Sequence, residues 1–357
     1  MLINIPPRRI LGRFIPVPLP PARTFDGKTV LIIGGTTGLG LAAAVHFARL
    51  GASVIITGRT ESRAESAKRH IQESLGIDQE IKCMTLDLSI YESCTAFVGE
   101  LKKCLPGPEA LDVAVLNAGL INTHHEESPE GWEQTIQVNS LSTALLGLLL
   151  LAWMQEGRNN RSQPAHLVFI TSRDHLYPDF RQWSKWAKEE GGILRHLSDK
   201  KNWPAWWKTT EPNYGNSKLL IMYAVAEIAE LARGPNGEPR VIVNSTCPGV
   251  VRTDIGRTIA QSSWFMRFAV PAYLRVLGKS TDYGARFYVR AALKPIESHG
   301  EFSNGWLTAR QYQKLARPAM TSPEGREVQA LVWQEIVTEL GAKVDGVREL
   351  LHKNDST

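Results

Sequence analysis

Tyr214 and Lys218 stand four residues apart in the segment Tyr214-Gly215-Asn216-Ser217-Lys218. Residues at that spacing share one face of a helix, so an ammonium is expected beside a phenol. A free tyrosine, with a pKa of about 10, is a poor acid–base group at neutral pH. A neighbouring cation can lower that value by about 1–3 pH units. The pair therefore points to a phenol that gives a proton to a carbonyl oxygen or takes one from an alcohol.

A second constellation, Gly34-Gly35-Thr36-Thr37-Gly38-Leu39-Gly40, follows an apolar run and precedes an Ala-rich one. Glycines at a strand-to-helix junction let the backbone turn sharply and approach a pyrophosphate, and the helix N-terminus then offers free N–H groups to the anion. About 20 residues past such a turn, NAD enzymes place a carboxylate for the ribose hydroxyls. Here that place reads Thr57-Gly58-Arg59-Thr60, with Arg63 one helical turn on. An arginine suits a 2′-phosphate and stacks on adenine, so NADP(H) is favoured over NAD.

These residues need a scaffold, and the hydrophobic pattern supplies one. Short β-branched runs at 28–34, 53–57, 81–86, 111–116, 166–171 and 240–246 alternate with helical stretches at 39–50, 61–74, 91–104, 131–154 and 216–232. Near-continuously apolar strands alternating with helices imply a parallel sheet covered on both faces. The expected fold class is α/β, a single Rossmann-type doubly wound domain over 25–310. A Pro/Arg-rich leader (1–24) precedes it and a helical extension (311–357) follows.

Two segments break the rhythm. Residues 174–212 form a long insert holding Trp183, Trp186, Trp203, Trp206 and Trp207, five of the chain's 10 tryptophans. A loop of this length and aromatic load is commonly functional or packs as a subdomain. Residues 254–279 carry an amphipathic piece, Trp264 to Leu277, interrupted by Pro271. This second segment is expected to be a substrate loop.

Composition bounds the rest. The 357 residues are 43% hydrophobic, enough for a sizeable core, and the 41 basic against 36 acidic residues give a mild +5 without a basic stripe, which argues against nucleic acid. The four cysteines lack zinc-site spacing and suit a reducing compartment, so a cytoplasmic protein without a metal is expected. The leader lacks a continuous apolar core, unlike a signal peptide. The longest purely apolar stretch, Ala144 to Met154, has 11 residues, against the ~20 that span a bilayer. Peripheral membrane contact, through Arg8, Arg9 and Arg13 beside Ile10, Leu11, Phe14 and Ile15, or through the Trp264–Leu277 piece, is the weaker reading.

The Gly-rich turn and the Tyr214/Lys218 pair together resemble the short-chain dehydrogenase/reductase family, and its other motifs occur in order from about Lys28 to Phe302. The resemblance implies that Asp87 and Leu88 contact adenine, and that Asn117-Ala118-Gly119 steady the sheet and line the cofactor. It implies that Val251 and Thr253 of Pro248-Gly249-Val250-Val251-Arg252-Thr253 meet the nicotinamide carboxamide. Asn139, Ser172, Tyr214 and Lys218 would form the catalytic tetrad. In it Tyr214 is the proton donor, Lys218 its tuner and a ribose ligand, Ser172 the carbonyl polariser and Asn139 the anchor of a proton relay.

Two departures stand out: Ile33 replaces the usual threonine before the first glycine, and 42 residues separate Ser172 from Tyr214. The long insert resembles the retinol-dehydrogenase-like branch and fungal secondary-metabolism reductases, which implies a bulky apolar carbonyl or alcohol substrate with the insert as wall or lid. The alternatives are an alcohol dehydrogenase at a membrane surface and a non-catalytic NADP-binding protein. The helices around Ala144–Trp153 and Leu219–Val225 match those that pair family members into homodimers, unless insert and tail block that face.

Overall fold

A computed structural model describes residues 17–76, 81–204, 209, 212–305 and 307–352. Seven strands form one parallel sheet: β1 (Thr29–Ile33), β2 (Ser53–Gly58), β3 (Ile81–Thr85), β4 (Val113–Leu116), β5 (Ala165–Ile170), β6 (Val241–Cys247) and β7 (Phe302–Asn304). Their order is β3-β2-β1-β4-β5-β6-β7. The central strands are β-branched and aliphatic because both their faces are covered; Val30, Leu31, Ile32 and Val115 have no exposed surface.

One face packs against α1 (Gly38–Arg49) and α2 (Glu61–Leu75). The other carries α3 (Tyr91–Cys104) and α4 (Thr143–Glu156), the latter led in by a helical turn at Gln134–Ile136 and a π-helical stretch at Gln137–Ser142. The continuous helix Gln134–Asn160 is long and apolar enough to cross a membrane, but 89% of its apolar window is buried in the protein. It is a core helix. The strand order reverses between β1 and β4, and at such a switch point the loops beyond the strand ends diverge and open a crevice.

Beyond β5 the insert folds into α5 (Trp183–Glu189) and α6 (Ile193–Ser198), and α7 (Tyr214–Leu231) follows. Past β6 come α8 (Arg257–Gln261), α9 (Trp264–Leu277) and α10 (Thr281–Ala291), the last packed on α1. The tail supplies α11 (Ala309–Met320), α12 (Pro323–Lys343) and α13 (Val347–His352). Helix α11, with Pro318 in its last turn, falls almost wholly within the helical extension expected over 311–357.

Among the described insert residues, the aromatic ones expected to wall the substrate end pack instead against α7 and the tail. Trp183 is buried, packs edge-on to Tyr223 of α7 and stacks on Trp186, which stacks in turn on His196. Glu335 of α12 caps α6, accepting from the N–H groups of Ile193 (2.7 Å) and Leu194 (2.8 Å). Helix α12 also lies along α7, so the apolar residues Leu219 to Val225 that suggested a dimer face are buried within the chain. Leader residues 1–16 and Trp206 and Trp207 lie outside the described residues. Val17 is buried, and its carbonyl accepts from Arg286 of α10.

Candidate active site

The Gly-rich turn is shaped by contacts that no side chain would permit. Gly34 (φ +76°) and Gly38 (φ +56°) occupy left-handed backbone, and a Cβ on Gly40 would fall 2.2 Å from the Gly34 carbonyl oxygen and 2.6 Å from Asn117 Nδ2. Asn117 ties the turn down: Nδ2 donates to the carbonyls of Ile33 (3.2 Å) and Gly34 (2.8 Å), while Oδ1 accepts from Tyr288 (2.7 Å). From the neighbouring strand, Thr57 Oγ1 accepts from the Gly34 N–H at 3.0 Å. Thr37 makes no side-chain cap on α1, which leaves first-turn N–H groups to an anion.

A groove of about 530 Å³ opens there, lined by Gly34, Thr36, Thr37, Gly38, Leu39 and Gly40 on one side and by Asn117, Ala118 and Gly119 on the other. Arg59 and Arg63, both exposed, and Leu88 line it too. Asp87 does not: its Oδ1 accepts from the Ser89 N–H (2.9 Å) and hydroxyl (2.8 Å), bracing the turn before α3. The glycine cradle, the uncapped helix end and the arginines fit a nicotinamide dinucleotide.

The reacting end lies beyond the ends of β5 and β6. Helix α7 starts at Tyr214 because Asn213, its N-cap, is pinned by donating to Glu133 (3.1 Å) and to the Leu197 carbonyl (2.9 Å). One turn on, the Lys218 ammonium stands 5.7 Å from the Tyr214 ring centre and donates to the Ile170 carbonyl at 3.3 Å. The side chain is buried, and loss of solvent pushes its pKa down to about 8. A Cβ on Gly119 would sit 3.5 Å from that ammonium and 3.1 Å from Asn139 Oδ1, so the glycine makes room for both.

Asn139 lies in the π-helical stretch, a distortion frequent at functional sites. Its carboxamide accepts from the Leu120 N–H (2.9 Å) and donates to the Leu120 carbonyl (2.9 Å) and to Ser217 (3.0 Å). Asn139 thus joins the loop after β4 to α7 from behind the cavity and does not line it. Ser172, just past β5, donates to Asp174 Oδ2 at 2.9 Å and accepts from the Asp174 N–H at 3.3 Å.

Ser172, Tyr214 and Lys218 line one cavity of about 570 Å³ together with Pro248, Gly249, Val251 and Thr253. Its walls are mostly apolar: Ile259, Met266, Ala269, Val270 and Leu274 come from α8 and α9. The cavity shares Leu39, Asn117, Gly119, Ile121, Thr253 and Ile255 with the groove, so the two are continuous. Among the described insert residues past Arg173, only Asp174 lines it.

Sequence reasoning passed over Asp174, Tyr288 and Glu133. Asp174 carried a signal in its two-residue spacing from Ser172, a common side-chain-to-backbone turn. Tyr288 and Glu133 carried none, since their partners are distant in the chain. Burial raises the Glu133 pKa, against hydrogen bonds from Thr135, Ile136 and Asn213 that hold the carboxylate.

Residues 28–184 match the family model described as short chain dehydrogenase. With that match, the parallel sheet and the relatives below, the chain belongs to the short-chain dehydrogenase/reductase family of oxidoreductases. It is 33% identical over 341 residues to the short-chain dehydrogenase/reductase ffsI of Aspergillus flavipes, covering 94% of this chain and 93% of that one. With phmF of Phaeosphaeria nodorum, of the same description, it shares 33% over 334 residues, 93% of this chain and 92% of the relative. The L-sorbose reductase of Gluconobacter frateurii, solved with NADPH and L-sorbose, has the same fold, with a TM-score of 0.57 at 18% identity over 78% of this chain and 95% of that one.

Proposed function

We propose that the protein is a cytoplasmic NADP(H)-dependent ketoreductase acting on a bulky apolar carbonyl compound in fungal-type secondary metabolism. The observation that carries this is the meeting of Tyr214, Lys218 and Ser172 in an apolar cavity continuous with the glycine-lined groove. Gly34 to Gly40 would hold the pyrophosphate, Arg59 and Arg63 the 2′-phosphate, and Val251 and Thr253 the nicotinamide end. When bound, the nicotinamide supplies the hydride. Fungal relatives and four unpaired cysteines support the setting.

The side chains manage the proton. Tyr214 gives its phenolic hydrogen to the substrate oxygen as that oxygen gains charge, and the Lys218 ammonium favours the phenolate left behind. Ser172 Oγ is held by the Asp174 N–H, and its hydroxyl hydrogen turns from the Asp174 carboxylate to the developing oxyanion. Asn139 holds α7, and with it Lys218, against the loop after β4. The apolar walls keep water from the charges, which strengthens each of these interactions.

The test is loss of NADPH absorbance with a panel of hydrophobic aromatic ketones. Tyr214→Phe is expected to lower kcat by about 10²–10⁴ while NADPH binding persists, and wild-type protein inert towards every ketone while still binding NADPH would overturn the reading. Arg59→Ala is expected to weaken NADPH about 10-fold or more, the loss of a charge-assisted hydrogen bond. NADH should be nearly unaffected; equal weakening of both would remove the case for a 2′-phosphate site.

A further inference from the structure

Helix α9 is apolar on both sides. Its inner stripe of Met266, Ala269, Val270 and Leu274 closes the substrate cavity. Its outer side exposes Trp264 (80%), Phe265 (61%), Phe268 (70%) and Val276 (61%), and no residue of the helix is fully buried. A surface helix ordinarily turns polar side chains to water, and a contiguous exposed apolar patch marks an interaction site.

The charges on and just before α9 are mostly positive. Residues 252–277 contain Arg252, Arg257, Arg267 and Arg275 against Asp254 alone, and α9 itself has no acidic residue. Aromatic rings interleaved with arginines suit the headgroup layer of an anionic bilayer, where rings enter the acyl boundary and guanidinium groups meet phosphates. A two-fold contact between copies would instead set Arg267 and Arg275 near their own counterparts, a like-charge arrangement that disfavours it.

We propose that the outer face of α9 docks on an anionic lipid surface, placing the mouth of the apolar cavity at the bilayer. Docking is independent of the proposed reaction; only the corollary, that substrate is drawn from lipid, rests on it. The experiment is co-sedimentation of the full chain with phosphatidylcholine vesicles, with and without phosphatidylserine. Wild-type protein is expected to pellet with the anionic vesicles and to be released by salt. The double variant Trp264→Gln/Phe268→Gln, shown by circular dichroism to melt as wild type does, should bind about tenfold more weakly or worse. Should it not fold, Arg267→Gln/Arg275→Gln serves instead and should lose the preference for phosphatidylserine. Wild-type protein left in the supernatant with both vesicles, or folded variants that pellet as fully as wild type, would overturn the proposal. So would a lipid-free dimer that the aromatic substitutions dissociate, which would assign the face to a second copy. Vesicle binding is read without turnover, so its failure is separate from failure of the ketoreductase reading.

Discussion

The insert and the α8–α9 segment look alike in sequence, each an aromatic-rich interruption of the strand–helix alternation, yet they meet opposite fates. The insert is drawn into the core: Trp183 is 1% exposed, and Glu335 of α12 satisfies two N–H groups of α6. Helix α9 packs mainly on α8 and leaves Trp264 80% exposed. An aromatic load therefore does not tell a wall from a prop; what decides is whether another element is available to cover it. Here the tail helix α12 covers the insert, and among the described residues no element covers the outer side of α9.

That contrast can be broken at several strengths. The largest effect is expected at Trp183, where truncation to Ala empties a close-packed site between α5 and α7 and should cost about 3–5 kcal/mol, read as a fall in urea midpoint. A loss below about 1 kcal/mol would mean the insert is a surface decoration after all.

Next is acid. His175 is the second residue of the insert; it is fully buried, with Nε2 3.2 Å from the Tyr312 hydroxyl of α11, and burial holds its pKa down to about 4. His166 on β5 is held at about 4 for the same reason. Between about 6.5 and 4 the unfolded chain binds more protons than the native one, so stability is complete above that window and falls as pH drops through it. Each histidine is expected to remove on the order of 3 kcal/mol by the bottom of the window. Unfolding midpoints at pH 7, 6 and 5 should fall in that order, and His175→Gln should flatten the decline. A parallel decline in the variant would place the acid sensitivity elsewhere.

The smallest effect is expected on α9. Phe268→Ala should change stability by no more than about 0.5 kcal/mol, because the ring already faces water. A larger loss would show that this face is covered in solution, and would end the contrast with the insert.

The two ends of the crevice differed in legibility for a related reason. The cofactor end could be read because its constraint is on the backbone. The φ of Gly34 and Gly38 strongly favours glycine, and a Cβ on Gly40 would clash with Gly34 and Asn117, so the requirement is written as residue identity at fixed spacing. Tyr214 and Lys218 were legible because one turn of helix sets their separation. The substrate end imposes no such demand, and the described helices of the insert, expected as wall or lid, pack against α7 and α12. Asp87, expected as an adenine contact, accepts from Ser89 and does not line the groove.

Local geometry and hydrophobic period, both short-range properties, were therefore enough to specify the alternating strands and helices, the parallel sheet, the phosphate-type turn and the phenol–ammonium pair. Long-range contacts decided what no window of residues contains. Thr57 accepted the Gly34 N–H across the sheet, Tyr288 anchored Asn117, Glu335 capped a helix 142 residues earlier, and α12 covered the apolar side of α7. Such pairings depend on which surfaces meet when the sheet closes, and side chains that meet across the fold need bear no fixed spacing along the chain.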